Sequence, residues 1–296
     1  MQATYSIANT NFAVHHQNDH LFDKLHQELN QYQTISTPSH TVILQNTSAQ
    51  LEIPQNSIRT IQTLGETRYQ TRDQLYITRP SKISILTDFK NQTLSINYSD
   101  TEKDTIELAR SAIKWFIIKA AESRGYTYLH ASAAQSNDNL LIFAGHSGCG
   151  KSSCLTRIHP HSIILSDDNL ILNNFTPFSF VLKPSIKGDF ESRFSGNNIG
   201  NSTNSSFQQP SKINIIFPIV HNSPHSIFKP IPKLEALSRL ISIYNREQYA
   251  NSTLDNQNIA QSKYQELLKS AECYEFYTGS DEQEVTGKLL NFLHSK

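Results

Sequence analysis

Glycine is scarce in this chain, at 10 of 296 residues. It is the residue that enters left-handed backbone most freely, so a cluster of such scarce residues marks a place where the backbone needs them. Cysteine is scarcer still: Cys149, Cys154 and Cys273 make an odd number with no paired spacing. That argues against a disulfide framework and against a zinc site of the Cys-x-x-Cys kind. Net charge is absent, because 26 Lys and Arg balance 26 Asp and Glu. Proteins that hold DNA or RNA by bulk electrostatics are strongly basic, so no nucleic-acid partner is expected. Long apolar runs are missing as well. Trp115–Ile118 and Leu140–Ala144 fall far short of the ~20 residues that cross a bilayer. Residues 1–14 show no basic segment followed by an apolar run, so no membrane association is expected and the default compartment is the cytoplasm.

What remains is an α/β pattern in two parts. Residues 1–100 read as a small mixed α+β accessory domain. Thr4–Val14, Thr41–Leu44, Gln74–Thr78 and Lys82–Thr87 read as strands, and His20–Tyr32 as a helix with Leu21, Phe22, Leu25 and Leu29 on one face. A polar turn, Lys90-Asn91-Gln92, closes a hairpin within Phe89–Tyr98. The histidines at 15, 16, 20, 26 and 40 are scattered among polar residues and are expected at the surface. Residues 101–296 form the second part. Apolar residues recur at helical spacing from Asp104 to about 123, with Gly125 beyond the end. Tyr126–Ala134 and Leu140–Ala144 read as strands joined by a polar turn. Further strands are expected at Ser162–Ser166, Leu170–Leu172, Ile213–Val220 and Glu275–Tyr277. Helices are expected at Leu234–Tyr244, Gln261–Ala271 and Asp281–Leu293, and the Ser- and Asn-rich Gly188–Ser211 reads as a long loop.

Chemistry concentrates after Leu140–Ala144. The next nine residues, Gly145, His146, Ser147, Gly148, Cys149, Gly150, Lys151, Ser152 and Ser153, satisfy the phosphate-loop pattern Gly-x4-Gly-Lys-Ser and hold three of the ten glycines. Glycines let successive backbone N–H groups turn inward around a phosphate. Lys151 reaches the β- and γ-phosphates, Ser152 is placed to ligate Mg²⁺, and the helix that follows presents its N-terminal dipole to the same anion. Sixteen residues after Lys151, the apolar strand ends in Asp167-Asp168. A strand-terminal acid holds the metal or its water in enzymes with such loops. A second carboxylate beside it can take a proton from an acceptor hydroxyl.

Over residues 126–172 these motifs resemble the catalytic domain of HPr kinase/phosphorylase. The residues that carry the likeness are Leu129-His130, a hairpin, Leu140–Ala144, the phosphate loop and Ser166-Asp167-Asp168. More weakly, the layout is similar to HPr-kinase-related proteins that phosphorylate peptide precursors or free serine, which often read His-Ala-Ser where this chain has His130-Ala131-Ser132. The resemblance implies a phosphoenolpyruvate-carboxykinase-like phosphate-loop fold and in-line transfer of a phosphoryl group to a hydroxyl. It assigns Lys151 and Ser152 to the phosphates and Mg²⁺, Asp167 to the metal and Asp168 to the base, with the order of the two acids reversible. His130 falls near the γ-phosphate end. Two features depart from the family: Ser153 stands where HPr kinases have Glu, and their downstream glycine-rich signature is missing. Homo-oligomerisation is left open.

The leading expectation is an ATP-dependent kinase with Mg²⁺, acting on a peptide, protein or small-molecule hydroxyl, serine foremost, with ADP or pyrophosphate as other donors. The alternatives are a nucleotide-binding switch without net transfer and a simple nucleotide hydrolase. Lys183, Lys187 or Arg193 would supply cationic clamps. Phe175, Phe178 and Phe180 read as packing residues, or else as a stacking platform for a base or acceptor. Cys149 reads as the occupant of a variable loop position, with oxidation the alternative.

Overall fold

The computed structural model describes residues 2–7, 10–16, 20–29, 33–63, 66–71, 73–79, 82–99, 101–174, 176–178, 210–221, 223–247 and 254–294. Phe175, Phe180, Lys183, Lys187, Arg193 and most of the Ser- and Asn-rich stretch lie outside these residues. The chain is of mixed α/β class and divides into two compact units, Met1–Arg124 and Gly125–Lys296.

The first unit is an eight-stranded sheet. Its strands are β1 (Gln2–Ile7), β2 (Thr10–His15), β3 (His40–Asn46), β4 (Ile58–Thr63), β5 (Glu66–Gln70), β6 (Gln74–Arg79), β7 (Ile83–Asp88) and β8 (Thr93–Tyr98). Their order is β1-β2-β3-β8-β7-β6-β5-β4. The expected strand over Thr4–Val14 is a hairpin instead, with Ile7 opposite Thr10. Between β2 and β3 the chain crosses over through helix α1 (His20–Leu29), and the two strands run parallel. The polar turn at 90–92 does join β7 to β8, with Gln92 in left-handed backbone at φ 56°.

Helix α2 (Lys103–Ser123) buries Ile106, Ala109, Ile113, Phe116, Ile117 and Ala120, the stripe its periodicity predicts. The Arg124 N–H bonds back to Ala121 O, and Gly125 follows at φ +86°, a left-handed exit that favours glycine. This stripe packs on β2, β7 and β8. For that reason α2 belongs to the N-terminal unit, and the division falls at 124/125 where the sequence suggests 100/101.

Two of the histidines expected at the surface are buried. His16 stacks on Phe22, and His40 meets Phe116 edge-on at 5.7 Å. A neutral imidazole has an apolar ring to bury, and an aromatic neighbour outweighs a polar sequence context.

The second unit holds a six-stranded sheet and a three-stranded one. The larger has the order β12-β10-β11-β15-β17-β16, from β10 (Ala131–Ser136), β11 (Asn139–Ala144), β12 (Ile163–Ser166), β15 (Lys212–Val220), β16 (Ile227–Pro230) and β17 (Ala271–Thr278). Within it β11, β15 and β17 run parallel, while β10 lies antiparallel between β11 and β12. The smaller is β14 (Thr176–Phe178), β13 (Leu170–Asn173) and β9 (Thr127–Leu129). Helix α3 (Lys151–Ile158) and the closing helix α6 (Glu282–His294) cover one face of the large sheet. There Cys154, Leu155, Ile158, Val285 and Leu289 pack on Leu141, Phe143, Ile216 and Phe276. Asp281 caps α6 by accepting from the Gln283 and Glu284 N–H groups at 2.9 and 3.2 Å.

Side chains alternate along a strand, so Phe217 points to the face opposite Ile216. It lies under the Arg239 guanidinium of α4 (Lys233–Glu247), at 5.4 Å. Helix α5 (Leu254–Ser270) ends one residue before its expected end, because Ala271 already pairs with Ile213 in β17. The eight-residue β17 is longer than the expected Glu275–Tyr277, and β16 has no counterpart in the sequence reading.

Two strand breaks decide where the site lies. The expected single strand Tyr126–Ala134 is two strands divided at His130. Its partner segment is likewise divided, between β12 and β13, at Asp167, Asp168 and Asn169. On one side Leu129 faces Leu170 in the small sheet; on the other Ala133 faces Ser166 in the large sheet. Both segments cross between sheets at the same level, and the Ala131 N–H to Asp168 O bond (3.1 Å) pins the crossing.

Candidate active site

The loop 145–150 leaves the C-terminal end of β11 and enters α3. Gly148 and Gly150 carry φ of +86° and +101°, left-handed values that an L side chain strains to adopt. Gly150 is the N-terminal cap of α3. At Gly145 the constraint is space: a Cβ there would overlap the Cys149 sulfur.

Lys151, the first residue of α3, is buried and points back into the loop. Its ammonium donates to Gly145 O (2.8 Å) and His146 O (3.2 Å) and lies 3.3 Å from His130 Nε2. An ammonium only donates, so Nε2 is the acceptor and the neutral His130 proton resides on Nδ1. That nitrogen lies 3.3 Å from Asp168 Oδ1, close enough to face the carboxylate but without the alignment of a good hydrogen bond. His130 thus stands between the loop lysine and one of the two carboxylates.

Asp167 is buried and Asp168 half-buried. Burial raises the Asp167 carboxyl above the usual carboxylate range. The Ser152 hydroxyl bond opposes this, the Asp168 charge adds to it, and the Lys151 charge and the Ser132 hydroxyl oppose it. The Ser152 hydroxyl and the Asp167 carboxylate therefore sit side by side as two oxygen donors, a set suited to a hard divalent cation. Ser132, fully buried on β10, donates to the Asp167 backbone carbonyl and fixes where that residue leaves the strand.

The sequence-predicted residues His130, Lys151, Ser152, Asp167 and Asp168 converge here from β9–β10, α3 and β12–β13. Ser153 is exposed on α3. Cys149 is half-buried in the loop, its N–H bonding to His146 O at 3.3 Å. Phe178 ends β14. Cys154 and Cys273 sit in the core, where burial pushes their thiols up to about 12 and about 11 and away from thiolate chemistry.

Sequence reasoning missed the groups behind the acids. Asn169 Nδ2 donates to Asp168 Oδ2 (3.3 Å), Tyr128 OH donates to Asn169 Oδ1 (3.1 Å), and Tyr264 OH donates to Tyr128 O (2.8 Å). The available signal was Tyr264 on the narrow apolar stripe of α5 with Ala260, Leu267 and Leu268, since a buried phenol needs a partner. A polar cavity of about 750 Å³, lined among others by Gln74, Asp88 and Asn91, lies within the N-terminal unit and involves none of these residues.

Compared with known proteins, the chain matches no family model, and no curated protein matches it. No helix among the described residues is long and apolar enough to cross a membrane.

Proposed function

We propose that the chain is an ATP-dependent kinase that transfers a phosphoryl group to a hydroxyl, with serine, free or in a peptide or protein, as the acceptor class. The observation that carries this reading is the convergence at His130. One ring nitrogen faces the loop lysine and the other faces a carboxylate. A phosphate-gripping cation and a proton acceptor are thereby held on two sides of one small space. The likeness of residues 126–172 to HPr kinase/phosphorylase supports the same chemistry. So does the mixed large sheet, with β10 antiparallel between β11 and β12, which differs from an all-parallel doubly wound sheet.

In this reading the backbone N–H groups of 145–150 and the N-terminus of α3 bind the β-phosphate. Lys151 exchanges its carbonyl partners for phosphate oxygens. Ser152 and Asp167 fit Mg²⁺, because with a nucleotide bound the metal needs only one or two protein oxygens. Bound there, the ion would neutralise charge on the phosphoryl oxygens. Asp168 takes the proton of the acceptor hydroxyl as its oxygen bonds to the γ-phosphorus, and the bond from that phosphorus to the bridging oxygen of ADP breaks. His130 holds Asp168 in place and keeps Lys151 facing the transfer.

The test incubates wild type, Lys151→Ala and Asp168→Asn with γ-labelled ATP, Mg²⁺ and free serine, serine peptides or protein extract. Label transferred by the wild type and lost in both variants is the expected result. Nucleotide binding without transfer to any acceptor overturns the kinase in favour of a switch, and release of free phosphate alone favours a hydrolase.

A further inference from the structure

The acids are held from behind by a line of buried side chains reaching α5. Tyr264 on α5 is 2% exposed, and its hydroxyl donates to the Tyr128 carbonyl on β9. Tyr128, also 2% exposed, donates its own hydroxyl to Asn169 Oδ1. A carboxamide has an acceptor end and a donor end. Once a phenol occupies the oxygen, the NH₂ end is obliged to face the other way, and there it meets Asp168 Oδ2 at 3.3 Å. Asp168 Oδ1 faces the His130 ring. Both carboxylate oxygens are therefore engaged from the protein side. The Asp168 side chain nonetheless keeps 36% of its exposure, so its remaining lone pairs face outward.

We propose that Tyr128 and Asn169 are positioning residues that aim the Asp168 carboxylate at the acceptor hydroxyl by fixing the orientation of the Asn169 amide. The inference rests on the kinase reading for its catalytic consequence, but not for the orientation itself. Without the phenol hydroxyl the amide is free to turn over. Its oxygen then opposes Asp168 Oδ2, and the carboxylate swings away from His130. A general base must lie within hydrogen-bond reach of the proton it takes, and a misplacement of about 1 Å can cost ~100-fold in rate. The hydrogen bonds of Tyr128 and Asn169 run to Asp168 and to Tyr264 on α5, so nucleotide binding is expected to be unchanged.

The experiment compares wild type with Tyr128→Phe and Tyr128→Phe/Asn169→Leu. The double variant removes the phenol and the carboxamide together, so neither is left facing the other's absence, which protects the fold. Two readouts are taken on protein verified as folded by its melting curve. The first is steady-state phosphoryl transfer, where a fall in kcat of about 10- to 100-fold with KM for ATP within about twofold is expected. The second is independent of activity: long-range ¹H–¹⁵N NMR of the His130 ring. With Lys151 holding Nε2 as the acceptor, all three proteins are expected to keep the Nδ1–H tautomer, and both variants to show changed Nδ1 and Nδ1–H chemical shifts as the Asp168 contact is lost. Unchanged kcat in Tyr128→Phe, or a His130 ring spectrum identical in all three proteins, overturns the inference. A wild type that transfers no phosphoryl group, with variants that still show the changed Nδ1–H signal, sinks the kinase reading and leaves the positioning role standing.

Discussion

Lys151 Nζ lies 3.3 Å from His130 Nε2, although the two residues come from different elements 21 positions apart. The lysine is the sole cation in that contact, and the imidazole passes the link on to Asp168. Removing either end has separable consequences. Lys151→Ala is expected to abolish transfer and to weaken nucleotide affinity at least ~100-fold, since it deletes a charged hydrogen-bond partner of the phosphates. His130→Ala leaves the loop intact, so nucleotide affinity by calorimetry should change little while transfer falls roughly 10- to 100-fold.

Asp167→Asn should stabilise the protein and inactivate it. Burial raises the Asp167 carboxyl, so its contribution to folding is fully present below the unfolded carboxylate pKa. That contribution is lost as pH rises through the raised folded value. Near neutral pH the fold carries a buried anion that Asn does not. The melting temperature without Mg²⁺ at pH 7 should rise, because Asn carries no charge to desolvate. A lower melting temperature would count against burial as the dominant influence on Asp167.

Gly145 and Cys149 should be energetically coupled. Gly145→Ala drives a methyl into the Cys149 sulfur, an overpacking that costs about 1–3 kcal/mol. With Cys149→Ala the nearest remaining atom, the residue-149 Cβ, lies 3.5 Å away, an ordinary contact. The double variant Gly145→Ala/Cys149→Ala is expected to recover most of the stability and nucleotide affinity that Gly145→Ala loses. Urea melts and nucleotide titration of all four proteins complete the cycle.

His40 should make the N-terminal unit sensitive to mild acid. Burial lowers its pKa to about 4, and the nearby Arg124 charge adds to the effect. Above the unfolded value, about 6.5, the ring is neutral in both states and the stability is full. As pH falls from there toward 4, the unfolded chain takes up a proton that the folded one refuses, so up to about 3 kcal/mol is lost. His40→Gln should flatten this part of the stability profile. An unchanged slope between pH 6.5 and 4 would assign the loss to other groups.

Much of the glycine-rich loop 145–150 was legible because its requirements are local. The glycines at 148 and 150 answer to a left-handed backbone at their own positions. The α3 start, the strand before it and the Asp167-Asp168 strand end are likewise set by nearest neighbours in the chain. The α2 stripe was readable for the same reason, since helical periodicity is a short-range property. Its allegiance was not, because the sheet that buries it is assembled from residues far away in sequence.

The sequence by itself therefore determined that a strand, a glycine-rich loop and a helix follow one another, and that two carboxylates end the next strand. Only the tertiary structure decided that the run from 126 to 134 breaks at His130. Its two halves pair with different sheets, β9 with β13 and β10 with β12. No local signal encodes that choice, because strand register is settled by partners 28 to 45 residues away. That crossing brings His130 between Lys151 and Asp168, and it sets Asn169 and Tyr128 behind the carboxylate.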